Sequence, residues 1–493
     1  MPARKIPESV SRFRPGTCTE IKMISGHYYV YMYHSIQLPS GKWGKKTDKS
    51  IGKIIPDVGF IPNKNYHLFT GEESLDDITV LEYGQYALVE CVARDIRDSL
   101  KEFFPDDRAR QIFAYANILF VNNFVHLDQV QSYYEQSWLA QEYRKYSFTM
   151  GRSSLGTLLD NLGRRTTRAL KYELSAIEKS SSAIAIDGHA IRSCSDENDL
   201  GESGYKFKLL KEDQVNLLMG YDINTGLPLF ARMYRGSCND KSTIEDLTDL
   251  MKFSGILFVI DRGFYSKKNL ETLAANDNIY IIPVPANTDI HKDAMNSLKY
   301  TGSFYYRSGK KHARIEYMSK RISDTEYVYV FRDIDENEKC RFNYQHSMEL
   351  GKSGYTQEGF EKNKEYFGVY VLQSNGGLSP ENVFSGYKKR WGIETFYQYL
   401  KNLGNFDDLM FQDYYKEQGF SFIMLITGQI HQKMVASVRT LNDNTISVRD
   451  ILLMARCMKM ERRGEIWSLK NTRKKDLEIL SKLGFEPQLS APA

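Results

Sequence analysis

Residues 182–189, SAIAIDGH, set the reading of this chain. A short apolar run closed by Asp187 and Gly188 has the pattern of a buried strand that ends on a carboxylate. The pattern recurs at residues 256–263, ILFVIDRG, which close on Asp261. Two more strand-like runs, 215–222 and 227–234, lie between them around the turn Asn224-Thr225-Gly226. Pro228 falls near the start of the second run, where a strand tolerates it. Ser242-Thr243-Ile244-Glu245 has capping-box spacing and predicts a helix ahead of the second carboxylate strand. A short helix over 266–275 and a fifth strand over 279–284 follow. The first three strands suit an antiparallel meander, and the fourth suits a parallel place beside the first through the helical crossover. Asp187 and Asp261 would then stand side by side at the C-terminal ends of neighbouring strands. Taken singly, each is more often a turn residue.

The next informative stretch is 387–401, YKKRWGIETFYQYLK, downstream of the helix start Ser379-Pro380-Glu381. At about 100° per residue, Tyr387, Arg390, Glu394 and Lys401 point within about 60° of one another. One face thus carries a phenol, a guanidinium, a carboxylate and an ammonium, while Trp391, Phe396, Tyr397 and Leu400 are left to pack. A solvated salt-bridge face is the competing reading of such a pattern.

Outward from this core the chain divides by composition. Residues 1–65 hold eleven Lys/Arg against four Asp/Glu, and 66–150 hold seven against fourteen. A basic hairpin-rich β module with interleaved Tyr and Lys is expected over 1–65, with strands near 27–34 and 50–55, and a helical region over 66–175. Residues 286–380 break the strand–helix rhythm with β-like runs and read as an inserted β domain. Within it Tyr305 and Tyr306 have basic neighbours that suit an unpaired base. The core is expected over 176–285 and again over 381–440, whose apolar helical stretch suits a core. A basic helical region is expected over 441–493. Basic ends fit an anionic polymer, although soluble tails would look the same. The six Cys show no zinc spacing, which points to a reducing compartment. No apolar run is long enough to span a membrane, and no apolar signal core opens the chain.

Two strand-end aspartates and a helix glutamate converging on one sheet edge suit two divalent cations. Hard oxygen ligands select Mg²⁺ or Mn²⁺, the ions of two-metal phosphoryl transfer. The spacing Y-x2-R-x3-E-x6-K, with IAIDGH, FVIDRGFYS and GLPLFARMYRGSCNDKST, resembles the bacterial insertion-sequence DDE transposases that carry a YREK-type helix and a β insertion. The resemblance covers roughly residues 150–440. It implies an α/β multidomain chain with a ribonuclease H-like mixed-sheet core, and Asp187, Asp261 and Glu394 as catalytic metal ligands. It implies contacts from Tyr387, Arg390 and Lys401 to DNA phosphates. Arg262, in the loop after Asp261, is a further candidate for DNA or for balancing local charge. His189 stands where many relatives have a small hydroxyl residue, and reads as structural or as a phosphate contact. The implied partners are double-stranded DNA, as element ends and target, and a second copy of the chain in the DNA complex. The implied location is the bacterial cytoplasm, at the nucleoid. The competing functions are a nuclease without strand transfer and an inactive transposase-derived DNA-binding protein.

Overall fold

The computed structural model describes residues 6–37, 41–70, 78–164, 167–195, 197–204, 206–238, 240–308, 311–390, 392, 397, 408–409, 411–443 and 445–492. They form two compact units. One comprises Met1–Val80, Met460–Lys470 and Gln488–Ala493, and the other Leu81–Lys459 and Asn471–Pro487.

The first unit is built on the antiparallel strands β1 (Thr19–Ile24), β2 (His27–Gln37), β3 (Trp43–Ile55) and β4 (Gly59–Pro62), paired in that order. Val30, Ile51 and Ile54 enter a small core with Val10, Tyr28 and Phe60, Ile51 where the register against β2 shifts by a bulge. On β1 and β2, Lys22 stands opposite Tyr29, and Tyr29 stands opposite Lys53 of β3. The Lys22 ammonium lies 5.2 Å from the Tyr31 ring centre and that of Lys45 4.2 Å from Tyr33. The C-terminal region differs from the expected run of helices. Between helices Val448–Arg456 and Lys474–Ser481 lie strands Lys459–Arg463 and Ile466–Lys470. The second of these strands pairs antiparallel with Ser490–Pro492. Residues 459–470, expected within a basic helical region, instead form two short strands that bury Met460 and Trp467.

The second unit opens with helices, among them α1 (Asp106–Val121) and α2 (Arg152–Gly163). Helix α1 stops where Asn123 and Phe124 turn to φ values of 58° and 57°, a break within the helical region expected over 66–175. The central sheet begins with β5 (Ala183–Ser193), β6 (Asp213–Asp222) and β7 (Pro228–Arg235), an antiparallel meander. Helix α3 (Asp240–Met251) leads to β8 (Leu257–Ile260), which lies parallel to β5. Helix α4 (Lys267–Ala274), capped by the Ser266 hydroxyl, leads to β9 (Ile279–Pro283), parallel to β8.

The segment expected as a separate β domain is inserted in sequence but continuous in sheet. Strands β10 (Gly302–Ser308), β11 (Lys311–Arg321), β12 (Tyr327–Asp333) and β13 (Val369–Ser374) extend the same eleven-stranded sheet, because β13 pairs antiparallel with β9. Helix α5 (Pro380–Lys389) then crosses the sheet, and α6 (Tyr414–Arg439), capped by Asp413, packs on α2.

Both faces of the parallel part are covered, which explains its unbroken apolar runs. Ile184, Ile186, Phe258 and Ile260 face a core shared with Ile244 and Leu247 of α3 and Leu273 of α4. Val259 and Ile281 face the opposite core, with Val383 and Phe384 of α5. No helix among the described residues is long and apolar enough to cross a membrane.

Candidate active site

The two aspartates meet because of strand register. The last parallel rung between β5 and β8 sets Ile186 opposite Ile260. One residue further along lie Asp187 and Asp261, on neighbouring strands about 4.8 Å apart. Alternation turns both away from the core of Ile186 and Ile260, toward the face that α5 covers. The strands then diverge. β8 ends, and Asp261 sits at the N-cap position of a single 3₁₀ turn, Arg262–Phe264, to which its side chain gives no capping bond. β5 does not end at Asp187 as the apolar run suggested. It continues to Ser193 because β6 pairs with it all along, Asp187 opposite Met219. The Gly188 amide donates to the Asp187 Oδ1 at 3.0 Å.

Helix α5 delivers the cationic partner. Its start is as the sequence indicates, with the Ser379 hydroxyl accepting from the Asn382 amide and Pro380 in the first turn. Val383, Phe384 and Gly386 seat it on the sheet. A methyl added at Gly386 would meet Ile281 at 3.4 Å, in ordinary van der Waals contact. The helix ends at Lys389, and Arg390 forms a turn, so residues 387–401 are not one unbroken helix. Gly392 and Tyr397 are again helical.

At that turn the Arg390 side chain is 6% exposed. Its Nη1 lies 3.8 Å from the Asp187 Oδ2 and its Nη2 3.5 Å from the Asp261 Oδ1. The guanidinium fork therefore spans the two carboxylates at ion-pair rather than hydrogen-bond distance. The Tyr387 ring packs against Tyr370 and lies 5.7 Å from the Arg390 guanidinium carbon. Lys388 donates to the Tyr370 hydroxyl at 2.8 Å, and desolvation there lowers its pKa. Lys389 donates to the Asn224 side chain at 2.8 Å.

His189 and Tyr397 complete the described surroundings. His189 is buried, and its ring stacks on Tyr397 at 5.1 Å and 25°. The Tyr397 hydroxyl donates to the Asp187 carbonyl at 3.0 Å. Helical periodicity leaves this residue to packing alone. Its signal is a phenol three positions beyond Glu394, but only the fold shows that it reaches the aspartate's backbone. Arg262 is exposed. Tyr305 is 76% exposed, whereas Tyr306 is half-buried with its ring packed on Phe384. Glu394, Lys401 and Trp391 lie outside the described residues.

Among the described residues, no group of three or more His, Cys, Asp or Glu is placed to hold a metal ion. Asp187 and Asp261 are nonetheless chemically suited to one. They are hard oxygen donors at adjacent positions, and the Asp261 side chain is 45% exposed.

Residues 178–427, just over half of the 493, match a family model described as a transposase DDE domain. Among solved structures, a piggyBac transposase synaptic complex with hairpin DNA is similar at 10% identity and a TM-score of 0.38. That match covers 76% of this chain and 80% of the other. No curated protein matches the chain.

Proposed function

The chain belongs to the DDE transposase family, and on that premise we propose that it moves an insertion sequence. It binds the terminal repeats, cleaves DNA by divalent-metal-dependent hydrolysis and joins the freed 3′-hydroxyl ends to target DNA. The observation that carries this reading is the placement of Asp187 and Asp261 one residue beyond the Ile186–Ile260 rung, spanned by Arg390. The order β7-β6-β5-β8-β9, antiparallel then parallel, supports a ribonuclease H-like core.

Asp187, Asp261 and Glu394 would hold two Mg²⁺ or Mn²⁺ ions, which when bound stabilise charge on the attacking and leaving oxygens of a phosphodiester. The chain's own residues do the positioning. Tyr387, Arg390, Lys401 and Arg262 supply hydroxyl, guanidinium and ammonium groups to backbone phosphates, where Arg forks match phosphate oxygens two at a time. Tyr397 holds the backbone of Asp187 in place. The sheet of β1–β4 serves as an end-binding module, because Lys22, Lys45 and Lys53 neutralise phosphates beside Tyr29, Tyr31 and Tyr33. Two ends cut in concert call for two copies of the chain.

The test is direct. Full-length protein, Mg²⁺ and a duplex from the DNA flanking its gene are incubated, and the cut ends are mapped. Cleavage at the element's borders with transfer of 3′ ends is expected. Cleavage without joining, even from pre-cut ends, would replace the reading with a nuclease. Undiminished cutting by Asp261→Asn would remove that carboxylate from the site.

A further inference from the structure

We infer that Arg390 is a positioning residue that serves as the internal counter-ion of the Asp187–Asp261 pair and passes to a DNA phosphate when DNA engages. Divalent-cation loading and DNA binding are thereby coupled. The inference rests on the reading of these aspartates as metal ligands.

Four observations lead to it. The Arg390 side chain is 6% exposed, yet it reaches Asp261, which is 45% exposed at the open end of the sheet. Its two terminal nitrogens are divided, one toward each aspartate, at 3.8 and 3.5 Å. Charge-assisted hydrogen bonds are shorter, about 2.7–2.9 Å, so the guanidinium meets both aspartates at ion-pair distance. Finally, Arg390 sits on a turn at the end of α5, its amide donating to the Tyr387 carbonyl at 3.2 Å. A long side chain rooted at a turn can redirect without moving the helix that Val383 and Phe384 anchor.

The electrostatics follow. A cation between two neighbouring carboxylates relieves their repulsion and keeps them together. The same cation opposes any other cation drawn to those oxygens, and partial burial limits the screening of that repulsion. Tight divalent-ion binding therefore requires the guanidinium to shift. A backbone phosphate is the partner best able to draw it away, since it accepts the fork in the same bidentate way. Whatever DNA contributes to ion affinity, the ion must return to DNA affinity by the same factor.

The experiment measures Mn²⁺ binding to the full-length protein by loss of the free-ion electron paramagnetic resonance signal. It is run with and without a duplex from the DNA flanking the gene, and duplex alone is the blank. Wild type should bind Mn²⁺ weakly alone and about tenfold more tightly with duplex, within the usual range of coupling between sites. Arg390→Gln should bind Mn²⁺ about tenfold more tightly than wild type without DNA, and gain little from duplex. Arg390→Lys, which keeps a cation, should stay weak without DNA. An Arg390→Gln affinity equal to or below that of wild type without DNA overturns the inference and leaves the metal reading intact. Mn²⁺ binding that survives Asp187→Asn and Asp261→Asn, or is absent from every protein with and without duplex, overturns the metal reading itself. Should Arg390→Gln not fold, wild type decides alone: duplex affinity must rise with Mn²⁺ by the factor seen in the reverse experiment, and its failure to rise overturns the coupling.

Discussion

At the scale of single residues, the site joins groups whose roles separate under substitution. Asp187→Asn and Asp261→Asn keep shape but remove a charge beside Arg390. Each is expected to cut DNA cleavage by more than the ~10–100-fold that loss of an outer-shell partner costs. Folding and duplex binding should stay near wild type, as checked by thermal melting and gel shift. Tyr397→Phe keeps the stack on His189 but loses the hydrogen bond to the Asp187 carbonyl. It should lower stability by roughly 0.5–1.5 kcal/mol and slow single-turnover cleavage, with duplex affinity unchanged. A different residue controls pH dependence. Glu417 on α6 is buried, and desolvation lifts its pKa from 4.5 to about 8, partly offset by the Asn198 amide. A raised carboxyl pKa means the fold prefers the protonated form. Its contribution is full below 4.5 and is lost as pH rises through about 8. His431 acts oppositely: burial lowers its pKa from 6.5 to about 3, so its contribution is full above 6.5 and lost as pH falls through about 3. The urea midpoint of Glu417→Gln should decline less than that of wild type from mildly acidic pH to about 8, and an equal decline would rule this assignment out.

Elements explain why the site is held where it is. Helix α6 runs for 26 residues and packs on α2 through glycines. A methyl on Gly419 would collide with the Leu159 carbonyl, and one on Gly163 with the Tyr415 carbonyl. Gly419→Ala gains up to ~1 kcal/mol in helix propensity and costs roughly 1–3 kcal/mol in overpacking. A net loss of thermal stability is therefore expected. A rise in melting temperature would show that the two helices separate without cost. On the sheet, β5 supplies two functions from one strand. Residues 183–186 pair in parallel with β8, while residues 184–192 pair in antiparallel fashion with β6. Asp187 is thus fixed by a ladder on one side at the point where the ladder on the other side stops.

The whole molecule adds the question of which copy cuts which end. The β1–β4 sheet and the carboxylate pair belong to different compact units. Each can therefore be disabled by substitution. Replacing Lys22, Lys45 and Lys53 with Ala should weaken end binding and reduce the slope of log affinity against log salt by about 0.9 for each phosphate no longer neutralised. That triple variant and an Asp261→Asn chain, each inactive alone, should restore cleavage when mixed if binding and catalysis are supplied by different protomers. A mixture that assembles on two ends yet stays inactive would mean that each copy cuts the end it binds.

Local pattern by itself determined much of this protein. Two apolar runs closed by aspartate, a meander between them and a helix crossover are short-range features, and alternation and capping residues such as Ser266 and Ser379 carry them in the sequence. They sufficed for the strand order around Asp187 and Asp261 and for the start of α5. Only the tertiary structure decided the rest, because the deciding contacts join residues far apart in the chain. The inserted strands join the central sheet through pairing of Leu372 with Pro283, which no local pattern encodes. Arg390 faces inward because α5 is seated on the sheet by Val383 and Phe384; helical periodicity places it on a face but not against a partner. Tyr397 meets the Asp187 backbone across 210 residues of chain. Residues 459–470 fall in the expected basic helical region yet form strands, since Lys and Arg look the same in composition on a strand as on a helix.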